Sequence, residues 1–133
     1  MSAKVLFISF FIFTIFCRAQ HEDFSFYIET KGGKPLLHLT SSETFPCAGY
    51  GIKVKELWNL DTLIINIRGF VQPQPCYQEM EQAKEAVPLW IKQKDTTYIN
   101  FRWKENEDAW IVVRDEGIFS AQPLRSSFTA WKP

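Results

Sequence analysis

Residues 97–113 read TYINFRWKENEDAWIVV, two runs of alternating character on either side of a charged stretch. Thr97, Ile99, Phe101 and Trp103 fall on one parity; Tyr98, Asn100 and Arg102 fall on the other. A period of two, built from β-branched and aromatic side chains, predicts a half-buried strand. Lys104 to Asp108 then reads as a solvated turn, and Ala109, Ile111 and Val113, interleaved with Trp110 and Val112, as the returning strand. This stretch sets the fold class as mainly β.

The same alternation extends upstream. Phe24, Phe26 and Ile28 alternate with polar neighbours, and Gly32–Gly33 supplies a tight turn before a strand from Pro35 to Thr40. Tyr50, Ile52 and Val54 mark a third strand, and Leu63, Ile65 and Ile67 a fourth, ended by Gly69. Downstream, Asp115–Gly117 turns into a short strand, Ile118 to Ala121, and the tail from Pro123 is only partly patterned. One segment departs from this pattern. Between Tyr77 and Val87 the chain is rich in Glu, Ala, Gln and Lys, with Met80, Ala83 and Val87 at helical spacing, and Pro88 follows. These are helix formers with a helix-stopping residue, so the spacing predicts a helix over 77–87.

About seven short strands with one helix between the fourth and fifth point to a small antiparallel β-sandwich, the helix crossing between sheets. The expected architecture is immunoglobulin-like in general shape only, because no Trp stands where a true immunoglobulin domain would have one. An α+β fold, with the helix packed on one curved sheet, is the alternative.

Residues 1–19 are a different kind of polymer. Lys4 precedes an apolar or small-residue run from Val5 to Cys17, and Cys17 and Ala19 stand at −3 and −1 of a cut before Gln20. As a helix this run spans about 20 Å, short of a bilayer core of about 30 Å. The pattern predicts a secretory signal peptide at 1–19 and one β-sandwich domain at 20–133, secreted to the periplasm or the exterior, with no membrane span once the leader is removed. A lipid anchor at Cys17 is the lesser alternative, since Ile15 and Phe16 are bulkier than such sites favour. Cys47 and Cys76 remain and can pair in one intramolecular way, giving an expected disulfide. Neither belongs to a Cys-x-x-Cys motif that would suggest a reactive thiol.

Fifteen Lys plus Arg against fifteen Asp plus Glu leave no basic excess, so nucleic acid is not the expected partner. Catalytic signals are sparse. His21 lies next to the expected new terminus with Asp23 nearby, and His38 sits on a strand between Leu37 and Leu39. Ser41 and Ser42 lack a nucleophile elbow. Glu105, Glu107 and Asp108 cluster at the expected hairpin tip without the spacing or Gly of a calcium loop. No catalytic, cofactor or metal residues are assigned. Five Trp is the less ordinary feature. Trp58 and Trp110 are the expected exposed platform, and the proline-stiffened segment Pro73, Gln74, Pro75, Cys76, Tyr77 is the expected preorganised loop. Together they predict a non-catalytic binding or structural domain recognising a protein or glycan. The rivals are a metal-dependent enzyme using His21 or His38 with carboxylates, and an inhibitor or immunity-type partner of another exported protein.

Overall fold

A computed structural model describes residues 22–90 and 96–133. The expectations for the leader at 1–19, for Cys17 and for His21 lie outside the described residues. Nine strands form: β1 (Phe24–Lys31), β2 (Lys34–Ala48), β3 (Gly51–Asn59), β4 (Thr62–Val71), β5 (Tyr77–Pro88), β6 (Thr96–Trp103), β7 (Asn106–Asp115), β8 (Ile118–Arg125) and β9 (Thr129–Trp131). They make one mixed sheet in the order β8-β7-β6-β4-β3-β5-β2-β1-β9, nearly closed as a barrel. Two packed sheets are not observed, so the sandwich expectation and its immunoglobulin-like form give way to a curled single sheet.

Each of the seven expected strands appears, and the expected helix does not. Residues 77–88 are β5, antiparallel to β2 along Leu36–Ala48, and there is no helix among the described residues. The α+β alternative falls with it. Helix propensity is a weak local preference, and here tertiary pairing outweighs it. β2 is fifteen residues long, and β1 pairs with it only from Lys34 to Ser41. Its second half and its other edge need a partner, since unpaired buried backbone groups are costly. β5 supplies one, burying Ala83 and Val87 on one parity and exposing Gln82, Lys84 and Ala86 on the other. Ala83 and Val87, four apart, satisfy both helical and strand periodicity, so their spacing does not discriminate between the two.

The inward parity fills the barrel. Phe24, Phe26, Leu39, Leu63, Ile65 and Phe101 are at most 1% exposed. Phe26 is an aromatic hub, its ring 4.9 Å from Phe101, 5.0 Å from Trp110 and 5.3 Å from Trp131. Burying such rings each contributes about 1.5–3 kcal/mol, and edge-to-face contacts add to it.

β8 and β9 end the strand order yet are joined in the chain by residues 126–128. What draws these ends together is Asp108 on β7. It is wholly buried, whereas the sequence places it in a solvated turn. The turn is only Lys104–Glu105, and β7 already begins at Asn106. The Asp108 carboxylate accepts five hydrogen bonds. Ser127 donates to Oδ1 from both N–H and Oγ, each at 2.8 Å. Phe128 N–H at 3.0 Å, Thr129 N–H at 2.9 Å and the Thr129 hydroxyl donate to Oδ2. Thr129 Oγ1 in turn accepts from the Trp110 indole at 2.9 Å. A shallow groove of about 420 Å³ remains on the seam, bordered by Trp110, Pro123, Arg125 and Trp131.

Burial pushes the Asp108 carboxyl up, but the donors from Thr129, Phe128 and Ser127 outweigh it and hold the group below its ordinary value near 3.8. A carboxyl depressed on folding stabilises the native state above its unfolded pKa, and that stability is lost as pH falls through the lower folded value. Asp108→Asn is therefore expected to cost about 2–4 kcal/mol at neutral pH, measured by denaturant unfolding. The wild type is expected to lose part of that margin as pH falls below 3.8. A variant with unchanged neutral stability contradicts the assignment.

Candidate functional site

The barrel end where β4 and β6 finish carries the most irregular chain. β2 and β3 are joined through Gly49, whose φ of +90° is a conformation that L side chains rarely adopt. A Cβ there would sit 3.6 Å from Pro73 Cβ, so Pro73 packs directly on this turn. After β4 the chain passes through Gln72, Pro73, Gln74, Pro75 and Cys76 into Tyr77, with a cis peptide between Gln74 and Pro75. The prolines fix backbone dihedrals and donate no hydrogen bonds.

The expected disulfide is present. Cys47, buried near the end of β2, is bonded to Cys76 just before β5, with Cα atoms 5.2 Å apart and a sequence separation of 29. The bridge encloses the β3–β4 hairpin and anchors the loop beside the β2–β5 register, where Cys47 faces Gln78 and Ala48 faces Tyr77. Closing a loop of this length stabilises the fold by roughly 3–4 kcal/mol in the chain-entropy model. The bridge is compatible with an extracellular or periplasmic location. No helix among the described residues is long and apolar enough to cross a membrane.

Of the expected surface residues, the loop places Gln74, Pro75 and Tyr77 in solvent and Pro73 half-buried. Tyr77 is 68% exposed, and Val71 and Met80, at 51% and 66%, flank the loop in sequence. The two tryptophans fare differently. Trp110 is 4% exposed and faces the interior, so it is no platform. Its parity follows from register: across the β6–β7 turn Ile99 faces Trp110 and Phe101 faces Asp108, and directly opposed residues share one face of a sheet. Trp58 is half-buried and packs against the core from β3. Neither gives the flat exposed ring that was expected. Trp90, two residues after Pro88, is the exposed tryptophan among the described residues at 69%, next to buried Leu89.

His38 faces outward from β2. Its Nε2 lies 2.7 Å from Glu29 Oε1, and its ring stacks on Tyr27 at 4.7 Å. His38 and Tyr27 border a depression of about 420 Å³ on the outer wall. The acidic cluster at 105–108 disperses. Asp108 turns inward, while Glu107 accepts from Arg102 Nε at 2.9 Å and its carbonyl accepts from Arg125 Nε at 2.9 Å. No group of three or more His, Cys, Asp or Glu gathers as metal ligands among the described residues. Burial pushes the Glu56 carboxyl on β3 up, and nearby Glu85 on β5 pushes it further.

Fold and loop thus define a small disulfide-braced sheet, nearly closed as a barrel and filled by its own side chains, with a stiffened loop at one end. No family model, curated protein or solved structure matches the chain. Replacing both cysteines, as Cys47→Ser with Cys76→Ser, is expected to lower unfolding free energy by about 3–4 kcal/mol. Denaturant unfolding checks this, and a double variant as stable as the wild type contradicts the structural role of the bridge.

Proposed function

We propose that this chain is an exported, non-catalytic binding domain that recognises a partner protein through the loop at 72–77. The observation that carries this reading is the loop itself: solvent-facing Gln74, Pro75 and Tyr77 held by a disulfide on one side and by Pro73 packed on Gly49 on the other. A loop already fixed in one shape loses little entropy when it docks. Tyr is favoured at such contacts because one rigid side chain supplies both apolar area and a hydroxyl. Export rests on the leader pattern at 1–19, and the disulfide is compatible with it.

An inhibitor or immunity-type role is a special case of the same geometry, the rigid loop filling a cleft of another exported protein. The rival metal-dependent enzyme draws less support. His38 engages Glu29 and stacks on Tyr27 on the open outer wall, which is the environment of a paired surface histidine.

The test compares wild type with Tyr77→Ala in cross-linked capture from the exported fraction of the producing cell, with circular dichroism as the folding check. Because Tyr77 is mostly exposed, its truncation is expected to leave the melting temperature within a degree or two while weakening a specific partner by about tenfold or more. Equal capture by both proteins contradicts the loop as the recognition element.

A further inference from the structure

Beside the loop, at the same end of the barrel, three irregularities of the chain converge on one pocket. β2 carries a wide bulge. Thr40 faces Lys84 and Thr44 faces Gln82, so Ser41, Ser42 and Glu43 together stand opposite Ala83 alone. The bulge is built in from both sides. Buried Ser41 accepts from the Ala83 N–H through Oγ at 2.8 Å and donates to the Glu43 carbonyl at 2.8 Å. On the β1 side, Ser42 N–H donates to the Asp23 carbonyl at 2.8 Å. Bulges of this kind re-aim side chains and recur beside binding sites. The second irregularity is Lys104, a non-glycine residue at φ +55° in the β6–β7 turn, a conformation Gly or Asn adopts more readily. It carries the Lys104 ammonium to 5.3 Å from the centre of the Trp103 ring. The third is the end of β4, where Phe70, following Gly69 at φ +147°, stacks over Phe24 at 6.1 Å and meets Trp103 edge-on at 6.0 Å.

The result is a pocket of about 380 Å³. Phe24, Phe70 and Trp103 make its apolar floor, while Ser42, Glu43 and Lys104 lie on its rim together with Asp23. Barrel mouths with an apolar lining and a few placed polar groups are common small-ligand sites. We infer that this pocket binds a neutral saccharide unit.

The chemistry of the rim selects that class. A carboxylate only accepts hydrogen bonds and an ammonium only donates them, so a ligand bridging Glu43 and Lys104 must both donate and accept. Hydroxyl groups do both. A phosphate or other anion meets the repulsion of Glu43 on the same rim that holds Lys104. A cationic ligand seeking the aromatic face finds the Lys104 ammonium already there. A sugar ring seats its C–H face on Trp103 and Phe70 by drawing the Lys104 ammonium off the Trp103 ring onto its own hydroxyl oxygens, an exchange that a cationic ligand cannot offer. This inference stands apart from the loop reading, since Tyr77 is not part of the pocket lining.

The test titrates full-length mature protein, isotope-labelled for amide and indole resonances, with the methyl glycosides of glucose, galactose, mannose and N-acetylglucosamine. Choline and inorganic phosphate serve as charged probes. At least one glycoside is expected to bind in the millimolar range and to shift the Trp103 indole and the Ser42 and Glu43 amides. Glu43→Ala and Lys104→Ala, both at exposed positions, are expected to weaken it about tenfold while the melting temperature holds, and Tyr77→Ala to leave it unchanged. The inference is overturned by no response to any glycoside, by a stronger response to choline or phosphate, or by glycoside binding that both rim variants leave intact.

Discussion

One buried carboxylate with five hydrogen-bond donors sets the shape of this molecule. A sheet that curls toward closure must do something with its two outermost strands, and here β8 and β9 are linked by only three residues. Asp108 gathers the amides of Ser127 and Phe128 from that link and of Thr129 at the start of β9, which would otherwise be exposed at the seam or buried without partners. An ionised group deep in a protein is costly unless its charge is met by fixed dipoles. The turn needs an acceptor and the carboxylate needs donors, so each requirement answers the other. Thr129 extends the arrangement to the Trp110 indole, and through Trp110 to the aromatic cluster around Phe26.

With that seam held, the opposite side of the sheet is free to be long and irregular. β2 runs well past its pairing with β1, and β5 follows it to the Cys47–Cys76 bridge. This overhang brings the proline-rich loop, the Ser41–Glu43 bulge and the Phe45–Phe70 contact at 4.7 Å to one end. The two register shifts of β2 against β5 fall where surface is presented, while β1, β6 and β7 keep their inward–outward alternation over most of their length. That division suits recognition: the regular part supplies rigidity, and the irregular part supplies distinctive chemistry.

Much of the scaffold was legible in local alternation. Phe24, Phe26 and Ile28, then Leu63, Ile65 and Ile67, then Ile99 and Phe101 were readable as inward rows, and all are buried. The cysteine pair was readable by elimination. What alternation could not convey was the role of residues whose partners lie far along the chain. Asp108 at a hairpin looks solvated until donors about twenty residues later are seen to surround it. β5 looks helical because Glu, Lys, Gln and Ala carry that local preference, and the unpaired half of β2 that overrides it lies some forty residues earlier. Trp110 was recoverable: counting register back through the Lys104–Glu105 turn sets it opposite Ile99, on the inward row. The mouth pocket left no local signature, since its lining comes from four separate segments.

The 126–129 turn is welded to β7 and opens only when the whole sheet unfolds. Native-state hydrogen exchange at neutral pH examines this residue by residue. The account requires the amides of Phe128 and Thr129 to exchange with the same free energy as those of Leu39 and Ile65 in the core strands. If Phe128 and Thr129 exchange orders of magnitude faster while Leu39 and Ile65 stay protected, the turn is a frayed end and Asp108 does not close the barrel.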